Sequence, residues 1–492
     1  MGGAAIGAAT GLALGPGCSS GTGARGTVAI DSGVLGVADG AAADDQTSPP
    51  GSDGGSPGSD ASISSDSSVA DSSDASSTTV DAGGSQDSGD GSDSTDSGDS
   101  GDGAATSDGS SLRDGAATDA ASMPCTNACT NGQFCWLSSC VTLTALTAGD
   151  SFTCALTSAS NAQCWGSGSF GALGNSDPNY QSSGVPVAVS LPSSGVAAIA
   201  GGSLHACAVT TAGAAFCWGD NVMGQLGDNA AEESTSVPVG VRGLSSGVAA
   251  IATRGNWSCA LTTAGAVTCW GMYATASANV PVAVSGLSSG IATIAIGTNH
   301  GCVVTTGGAA ECWGLGTSGQ LGNGFTNTSA TPVDVYGLSS GVKAISAGHA
   351  HTCALTTAGA VLCWGDNTDG QLGNGSTMQS PVPVQVSGLT SGVIAISAFN
   401  LHTCAVTSAG AVVCWGDNQY GELGSYTAMP LSEVPAAVEG LTSGFASVAS
   451  GSMHTCALTI AGQAWCWGTD SYGQLGNALT AETLIPVVVK EP

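Results

Sequence analysis

Paired cysteines are the residues of this chain whose type and spacing most clearly allow chemistry. Seven times the sequence runs Cys, nine residues, Cys-Trp-Gly. Two cysteines that meet in space can be oxidised to a disulfide or can bind a metal as thiolates. The seven pairs are Cys154 with Cys164, Cys207 with Cys217, Cys259 with Cys269, Cys302 with Cys312, Cys353 with Cys363, Cys404 with Cys414, and Cys456 with Cys466.

The residues between the two cysteines of a pair predict a hairpin that opposes the two sulfurs. In the fifth copy, residues 351–365 read as two short strands around Thr-Ala-Gly359. A three-residue loop favours glycine last, because its left-handed backbone then meets no Cβ clash. Cys353 then lies opposite Cys363 at a rung where the Cα atoms are about 4.5 Å apart, at the short end of disulfide geometry. We predict seven disulfides, one in each copy; the alternative is seven pairs of buried free thiols.

Four further cysteines precede the repeats, at Cys125, Cys129, Cys135 and Cys140. The Cys-x-x-Cys spacing of a zinc knuckle is absent, so we favour two disulfides over a zinc site. The spacing leaves all three connectivities open.

The remaining cysteine, Cys18, follows a short apolar stretch at residues 4–14. This arrangement resembles a bacterial lipoprotein signal, in which the cysteine is lipidated and becomes the mature N-terminus. It departs from that pattern because no Lys or Arg precedes the apolar run and because Leu14 lies one position too far from the cysteine. We expect export, with Cys18 as the lipidation candidate and membrane attachment only through that lipid.

Histidine and tryptophan are the repeated side chains most able to act in catalysis or ligand binding. A histidine stands two places before the first cysteine in five copies, and Phe152 and Trp257 take its place in the others. Aromatic residues in the same position indicate packing between repeats rather than a metal site or a catalytic base. The tryptophan after each second cysteine is predicted to pack between repeats as well, with a sugar-binding ring of aromatics as the alternative.

No acid/base pair, nucleophile elbow, phosphate loop or metal-ligand cluster stands out from the repeat, so we assign no catalytic, cofactor or metal site. Residues present in most copies hold the fold, whereas a binding site is expected among the residues that vary between copies. The candidate contacts are Tyr180, Met223, Tyr273, Phe325, Tyr420, Tyr426 and Tyr472.

The elements that position these residues follow from the period. Successive Trp-Gly pairs are 53, 52, 43, 51, 51 and 52 residues apart, a spacing typical of repeats that bury their apolar faces against each other. Each copy contains an apolar strand, the hairpin, a glycine-rich loop and a strand that opens with proline. Four strands in seven copies predict an all-β, seven-bladed propeller over residues 141–492. We expect the first and last copies to meet and close the ring, each supplying what the other lacks.

Composition separates the propeller from what precedes it. Residues 1–124 contain 19 aspartates and only Arg25 and Arg113 as basic residues. We expect residues 1–18 to be an export signal, residues 19–124 a disordered acidic linker, and residues 125–140 a small disulfide-rich segment. The whole chain has a formal charge of −30, which disfavours nucleic-acid binding because no basic patch faces a phosphate backbone.

The repeat resembles that of the regulator of chromosome condensation family. The resemblance rests on Gly-x-x-His-Thr-Cys-Ala-Leu-Thr, Cys-Trp-Gly-Asp-Asn and Gly-Gln-Leu-Gly and covers about residues 141–492. It implies a seven-bladed propeller. The third copy departs from the pattern after Trp270, where it lacks the Gly-Gln-Leu-Gly loop.

Three functions fit these features. The first is a monomeric, non-enzymatic propeller, secreted or displayed on the cell envelope, that binds a protein or glycan and inhibits a secreted enzyme in one sub-case. The second is a lyase or glycan hydrolase in the central channel, which requires two carboxylates, or a carboxylate and a histidine, at the channel mouth. The third, which only the family resemblance implies, is nucleotide exchange on a small GTPase, and it requires a reduced, cytosolic protein.

Overall fold

The computed structural model describes residues 129, 133–136, 139–192, 195–230, 233–274, 276–426 and 429–490. The side chains of residues 134–136 and 139, which include that of Cys135, are not among the described features. The predicted export signal with Cys18, the predicted linker at 19–124 and Cys125 lie outside the described residues.

From residue 143 onwards, the described part of the chain contains twenty-eight strands in seven antiparallel sheets, each made of four consecutive strands. Before them, β1 (Phe134–Trp136) pairs with β2 (Ser139–Val141). Blades 1 to 4 are β3 (Leu143–Ala148), β4 (Phe152–Thr157), β5 (Ala162–Gly166) and β6 (Ser183–Ala188); β7 (Val196–Gly201), β8 (His205–Thr210), β9 (Ala215–Gly219) and β10 (Thr235–Gly240); β11 (Val248–Arg254), β12 (Asn256–Thr262), β13 (Val267–Tyr273) and β14 (Ala276–Ala283); β15 (Ile291–Ile296), β16 (His300–Thr305), β17 (Ala310–Gly314) and β18 (Ser329–Asp334). Blades 5 to 7 are β19 (Val342–Ala347), β20 (His351–Thr356), β21 (Val361–Gly365) and β22 (Ser380–Gln385); β23 (Val393–Phe399), β24 (His402–Thr407), β25 (Val412–Asp417) and β26 (Leu431–Ala437); β27 (Phe445–Ser450), β28 (His454–Thr459), β29 (Ala464–Gly468) and β30 (Thr483–Val488).

The sheets are arranged as blades around an axis. We call the four strands of each blade a, b, c and d in chain order. Each a strand contacts the a strands of both neighbouring blades, so the seven a strands form the inner wall of the ring. This confirms the predicted seven-bladed propeller with four strands in each copy.

Each hairpin of strands b and c has the predicted register. In blade 5, Cys353 pairs with Cys363 and Leu355 pairs with Val361. The two opposed cysteines therefore project from the same side of their blade, as the spacing around Gly359 requires.

All seven cysteine pairs of the repeats are joined as disulfides, each between strands b and c of one blade. Their Cα–Cα distances are 4.0–4.1 Å, closer than the expected 4.5 Å. The alternative of buried free thiols is therefore wrong for this structure. From blade 1 to blade 7 the bonds join Cys154 to Cys164, Cys207 to Cys217, Cys259 to Cys269, Cys302 to Cys312, Cys353 to Cys363, Cys404 to Cys414, and Cys456 to Cys466.

An eighth disulfide precedes the ring. It joins Cys129 to Cys140. Of the three connectivities that the spacing left open, this bond removes the two in which Cys129 pairs with Cys125 or Cys135.

The ring closes by packing between complete blades. The a strand of blade 1 lies against strands a and b of blade 7, and the backbone N–H of Leu143 donates to the carbonyl oxygen of Gly462 at 3.0 Å. Leu146 and Trp165 of blade 1 share a buried cluster with Leu475 of blade 7. The first and last copies therefore meet as predicted, but neither terminal blade lacks a strand that the other supplies.

Candidate functional site

The five repeated histidines are buried between neighbouring blades. Each places Nε2 2.8–2.9 Å from a serine or threonine hydroxyl of the next blade. In one case, the hydroxyl of Thr352 donates to the carbonyl oxygen of Gln320 at 3.0 Å. That hydroxyl must therefore accept a hydrogen bond from His300, which places the imidazole proton on Nε2.

These histidines are neutral connectors. Burial lowers the pKa of His205, His300, His402 and His454 to about 3 and that of His351 well below its ordinary value. A neutral imidazole buried between two blades cannot reach a substrate. The histidines hold adjacent blades together, as the sequence indicated.

Two blades replace the histidine, and the next blade changes at the matching position. Phe152 of blade 1 packs in one cluster with Ala206 of blade 2, which stands where other blades have serine or threonine. Trp257 takes the histidine position in blade 3, and the matching residue of blade 4 is Gly301. The serine or threonine hydroxyl is therefore absent from the two blades whose preceding blade has no repeated histidine.

The repeated tryptophans also connect blades. All seven are 0% exposed, and six donate their indole N–H to a main-chain carbonyl of the preceding blade, as Trp364 does to Gln320 at 2.9 Å. The exception is Trp313, whose Nε1 has no partner among the described residues, because blade 3 lacks the loop that would supply the carbonyl. Complete burial excludes these tryptophans as a sugar-binding ring.

Strand direction divides the exposed connections between two faces. The turns between strands a and b and the connections between strands c and d lie on one face, which we call the loop face. The b–c turns and the connections between blades lie on the opposite face, which we call the turn face. The described residues of the c–d connections on the loop face are 167–182, 220–230, 233–234, 274, 315–328, 366–379, 418–426, 429–430 and 469–482.

Side-chain hydrogen bonds shape the long c–d connections. In blade 5, Asn367 Oδ1 accepts from the backbone N–H of Leu372 at 2.9 Å, and its Nδ2 donates to the carbonyl oxygen of Met378 at 3.0 Å. Gln371 Oε1 accepts from the N–H of Asp369 at 2.8 Å, while its Nε2 donates to Asp366 at 3.0 Å. The loop face is therefore a set of internally bonded loops on which a few side chains vary.

Exposed large apolar side chains concentrate on the loop face. Of the 20 such side chains among the described residues, 11 lie in c–d connections, and Met272 and Met453 lie on the same face. Tyr336, Ile394 and Ile460 lie on or next to the turn face, and the remaining four lie on the outer d strands. The exposed large apolar side chains are therefore distributed unevenly between the two faces.

Six of the seven contact residues predicted from sequence are exposed on the loop face. Their exposed fractions are 37% for Tyr180 and Met223, 63% for Phe325, 41% for Tyr420, 68% for Tyr426 and 49% for Tyr472. Tyr273 ends strand c at the same face, but its ring is half-buried and stacks on Trp257 with the centroids 4.3 Å apart. It contributes to packing as well as to the surface.

The centre of the loop face carries a cluster that sequence reasoning missed. The seven a–b turns form the channel mouth, and two residues there depart from the repeat: Arg254 in blade 3 and Phe399 in blade 6. The guanidinium carbon of Arg254 lies 3.0 Å from the centroid of the Phe399 ring. Both stand three places before the histidine position, where the other five copies have glycine (Gly149, Gly202, Gly297, Gly348 and Gly451).

These two residues fit because strand a is one residue longer in their blades. Arg254 pairs with Trp257, and Phe399 pairs with His402. Elsewhere the strand ends earlier, and a Cβ on Gly202, for example, would lie 2.5 Å from the His205 ring. Blades 3 and 6 face each other across the ring, so the contact spans the axis.

The a–b turns at the channel mouth also carry polar groups. Burial raises the pKa of Asp150, while the charge of Arg254, a hydrogen bond from Ser203 and His349 oppose that rise. Asn400 donates to the side chain of Ser452 at 3.3 Å. Burial lowers the pKa of Arg254 itself to about 9, so it remains charged at neutral pH.

Among the described residues, no group of His, Cys, Asp and Glu is placed to hold a metal ion. No helix in the described part of the chain is long and apolar enough to cross a membrane.

A ring of seven four-stranded blades with connected loops on one face defines a β-propeller of the repeat-built class. Two sequence profiles, both described as Regulator of chromosome condensation (RCC1) repeat, match this chain, one of them at residues 143–172, 196–225, 342–371, 393–422 and 445–474. The other matches residues 164–209, 212–261, 312–355, 358–406 and 409–458. Together they cover more than half of the chain, and the protein belongs to the regulator of chromosome condensation repeat family.

Several characterised proteins resemble parts of this chain. The human E3 ubiquitin-protein ligase HERC2 is 32% identical over 312 residues, which are 60% of this chain and 6% of HERC2. The Arabidopsis thaliana ultraviolet-B receptor UVR8 is 34% identical over 35% of this chain and 39% of UVR8. The mitochondrial RCC1 domain-containing protein RUG3 of the same plant is 29% identical over 63% of this chain and 62% of RUG3. The chain spans less than two thirds of each of these relatives.

Solved structures of yeast RCC1 share the fold. The chain named Prp20 in its complex with Kap60 has a TM-score of 0.60 and 24% identity, covering 71% of this chain and 84% of that one. Prp20p from Saccharomyces cerevisiae, described together with its binding to Gsp1p and histones, has a TM-score of 0.59 and 23% identity, covering 71% and 88%.

Proposed function

We propose that this protein is a non-enzymatic propeller that binds a protein partner through its loop face. The observation that carries the proposal is the concentration of exposed aromatic and methionine side chains on the c–d connections. Tyrosine, phenylalanine and methionine are enriched at protein interfaces because they offer large contact areas. The side-chain hydrogen bonds within these loops lower the entropy cost of presenting them to a partner.

The family supports a protein partner. The Prp20 structures are described with the proteins Kap60, Gsp1p and histones. Histones are basic, and a propeller with few basic residues is electrostatically suited to a basic partner. The low coverage of the relatives means that their activities do not transfer with the fold.

We further propose that the protein is exported and acts at the cell envelope or outside the cell. Eight disulfides among the described cysteines support this proposal, because disulfides persist in oxidising compartments. Peptide mapping of protein from its native source, without reductant, should recover Cys353 and Cys363 in one linked species. Recovery of both as free, alkylatable thiols would instead favour a reduced compartment.

The binding proposal is tested with variants on opposite faces. Full-length protein is immobilised and used to capture proteins from the native cell envelope. Phe325→Ser combined with Tyr426→Ser, on the loop face, should abolish recovery of any specific partner. The matched control, Tyr336→Ser combined with Ile460→Ser, removes similarly exposed side chains from the turn face (69% and 78% exposed) and should leave recovery unchanged. The reverse pattern would refute the proposed face.

One observation favours the enzymatic alternative enough to justify a test. Asp150 and His349 both lie at the channel mouth; burial raises the pKa of the Asp150 carboxyl, and His349 is among the groups that oppose this rise. Asp150 is the only carboxylate in the described a–b turns, so a hydrolase with paired carboxylates lacks its second group there. A lyase would release unsaturated, ultraviolet-absorbing products from acidic polysaccharides, and Asp150→Asn and His349→Asn would lose that activity. Absence of turnover in the wild-type protein would reject the lyase hypothesis.

A further inference from the structure

The guanidinium of Arg254 is a buried cation with unused donors. Its side chain is 3% exposed, and it makes no hydrogen bond with any described residue. Guanidinium carries five N–H donors in one plane. None of these nitrogens is among the fully buried side-chain atoms that lack a partner, so the donors are open to the channel mouth and can bind an acceptor that enters it.

The geometry of the guanidinium limits where that acceptor can bind. Its central carbon lies over the Phe399 ring, 3.0 Å from the ring centroid. The guanidinium N–H groups point outward along the edge of the plane, so an acceptor must approach edge-on. Ser203 and Asn400 contribute further polar groups to the channel mouth.

Asp150 does not supply the acceptor. Its carboxylate is close enough for the charge of Arg254 to act on its pKa, but its side-chain hydrogen bond is with Ser203. The structure shows no hydrogen bond between Asp150 and Arg254.

Charge limits the chemistry of the ligand. Residues 125–492 contain 17 acidic and four basic residues, so a multiply charged anion is repelled from the ring. A single guanidinium that already interacts with the Asp150 carboxyl can favour at most one further negative charge. A carboxylate carries one charge and is planar, and its two oxygens match the spacing of two guanidinium N–H groups.

We propose that the channel mouth binds one carboxylate group, which accepts two hydrogen bonds from Arg254 while Phe399 holds the guanidinium in place. The group belongs either to a small carboxylic acid or to an acidic side chain of a polypeptide. The site lies on the loop face, but the proposal does not require a protein partner, because a free carboxylate tests it directly.

The low number of arginines allows the proposal to be tested by NMR of the arginine side chains. The chain contains four arginines, Arg25, Arg113, Arg242 and Arg254. Full-length protein labelled with ¹⁵N-arginine should therefore give up to four Nε–Hε signals, assigned through Arg254→Lys and Arg242→Lys. Sodium acetate is titrated at neutral pH against sodium chloride at constant ionic strength. The Arg254 signal should move downfield to saturation, and the other three should stay in place.

Two further titrations identify the source of the carboxylate and the specificity of the site. A capped Gly-Glu-Gly peptide that shifts the Arg254 signal at lower concentration than acetate points to an acidic side chain, and acetate alone points to a small acid. The capped Gly-Gln-Gly peptide should have no effect. No saturable shift with acetate or peptide, or an equal shift with chloride or phosphate, would overturn the proposal.

Saturation-transfer NMR on the acetate methyl group provides a readout that does not depend on the Arg254 signal. Arg254→Lys keeps the charge but loses the planar fork, and we expect about tenfold weaker binding. Arg242→Lys, at an exposed turn between blades, is the matched control and should bind as wild type does. Equal binding by both variants would also overturn the proposal.

Discussion

Glu422 gives the clearest prediction about stability. It occupies the position at which four other blades have glutamine, and its side chain is 1% exposed. Its Oε2 accepts from the N–H of Tyr420 at 2.9 Å, as Gln225 Oε1 does from Met223 at 2.8 Å. The Gln225 amide also donates to a carboxylate, that of Asp220, at 2.8 Å. Glu422 has no amide to donate, and the corresponding carboxylate, Asp417, instead raises its pKa.

The size of the expected change in stability follows from the pKa of the Glu422 carboxyl. Burial, with a further contribution from Asp417, raises the pKa of Glu422 from 4.5 to about 7. The folded protein therefore binds more protons than the unfolded chain between these values, and the free energy of unfolding falls as pH rises from 4.5 to about 7. The shift in the pKa of Glu422 lowers the free energy of unfolding by about 3 kcal/mol once the carboxyl is fully ionised. Because glutamine restores a donor without a charge, we expect Glu422→Gln to raise Tm at mildly alkaline pH by roughly 4 °C.

Thermal unfolding followed by circular dichroism, from acidic to mildly alkaline pH, measures this effect. Wild type and Glu422→Gln should agree below the unfolded pKa of 4.5 and diverge as pH rises to about 7, after which the gap stays constant. Glu439→Gln, at an exposed position, is the control and should follow wild type throughout. A Tm difference that is the same at both ends of the pH range would show that the carboxyl is not the cause.

Three further changes test the connections within and between blades. Asp470 is 0% exposed, its Oδ2 has no partner in the part of the chain that the structure describes, and burial raises its pKa to about 6. Asp470→Asn should raise stability above that pH by about 1 kcal/mol, and a loss of stability in a denaturant titration would contradict this. Thr352→Val removes the partner of the His300 imidazole, whereas the Gln320 carbonyl keeps the indole N–H of Trp364; we expect a cost of about 1–3 kcal/mol in the same titration. The exposed Thr357→Val should cost little, and equal losses would exclude the bridging role. Replacing Cys353 and Cys363 with serine should lower the free energy of unfolding of the oxidised protein by at most about 3 kcal/mol. A variant as stable as wild type would show that this disulfide does not stabilise the blade.

The fold was largely predictable because its constraints repeat along the sequence. The spacing of Cys353 and Cys363 around a glycine-ended turn determines the hairpin register, and seven copies of one unit imply a ring. Substitution of histidine by Phe152 and Trp257 was enough to indicate packing. The closure of the ring through complete terminal blades was not predictable, because sequence order does not show which strands share a sheet.

The channel mouth was missed because its residues meet only through the ring. Arg254 and Phe399 lie in blades on opposite sides of the axis, far apart in sequence, and each resembles an isolated departure from the repeat. A signal was nevertheless present: in Gly-x-x-His, glycine is replaced only in these two copies. His349, which has no counterpart in the other copies, belongs to the same turns.

Hydrogen–deuterium exchange of the full-length protein, alone and bound to a captured partner, tests the central claim most directly. Our account predicts slower exchange in the c–d connections at residues 315–328 and 418–430, with the b–c turns unchanged. Protection confined to the b–c turns and to the connections between blades would contradict the assignment of the loop face as the binding surface.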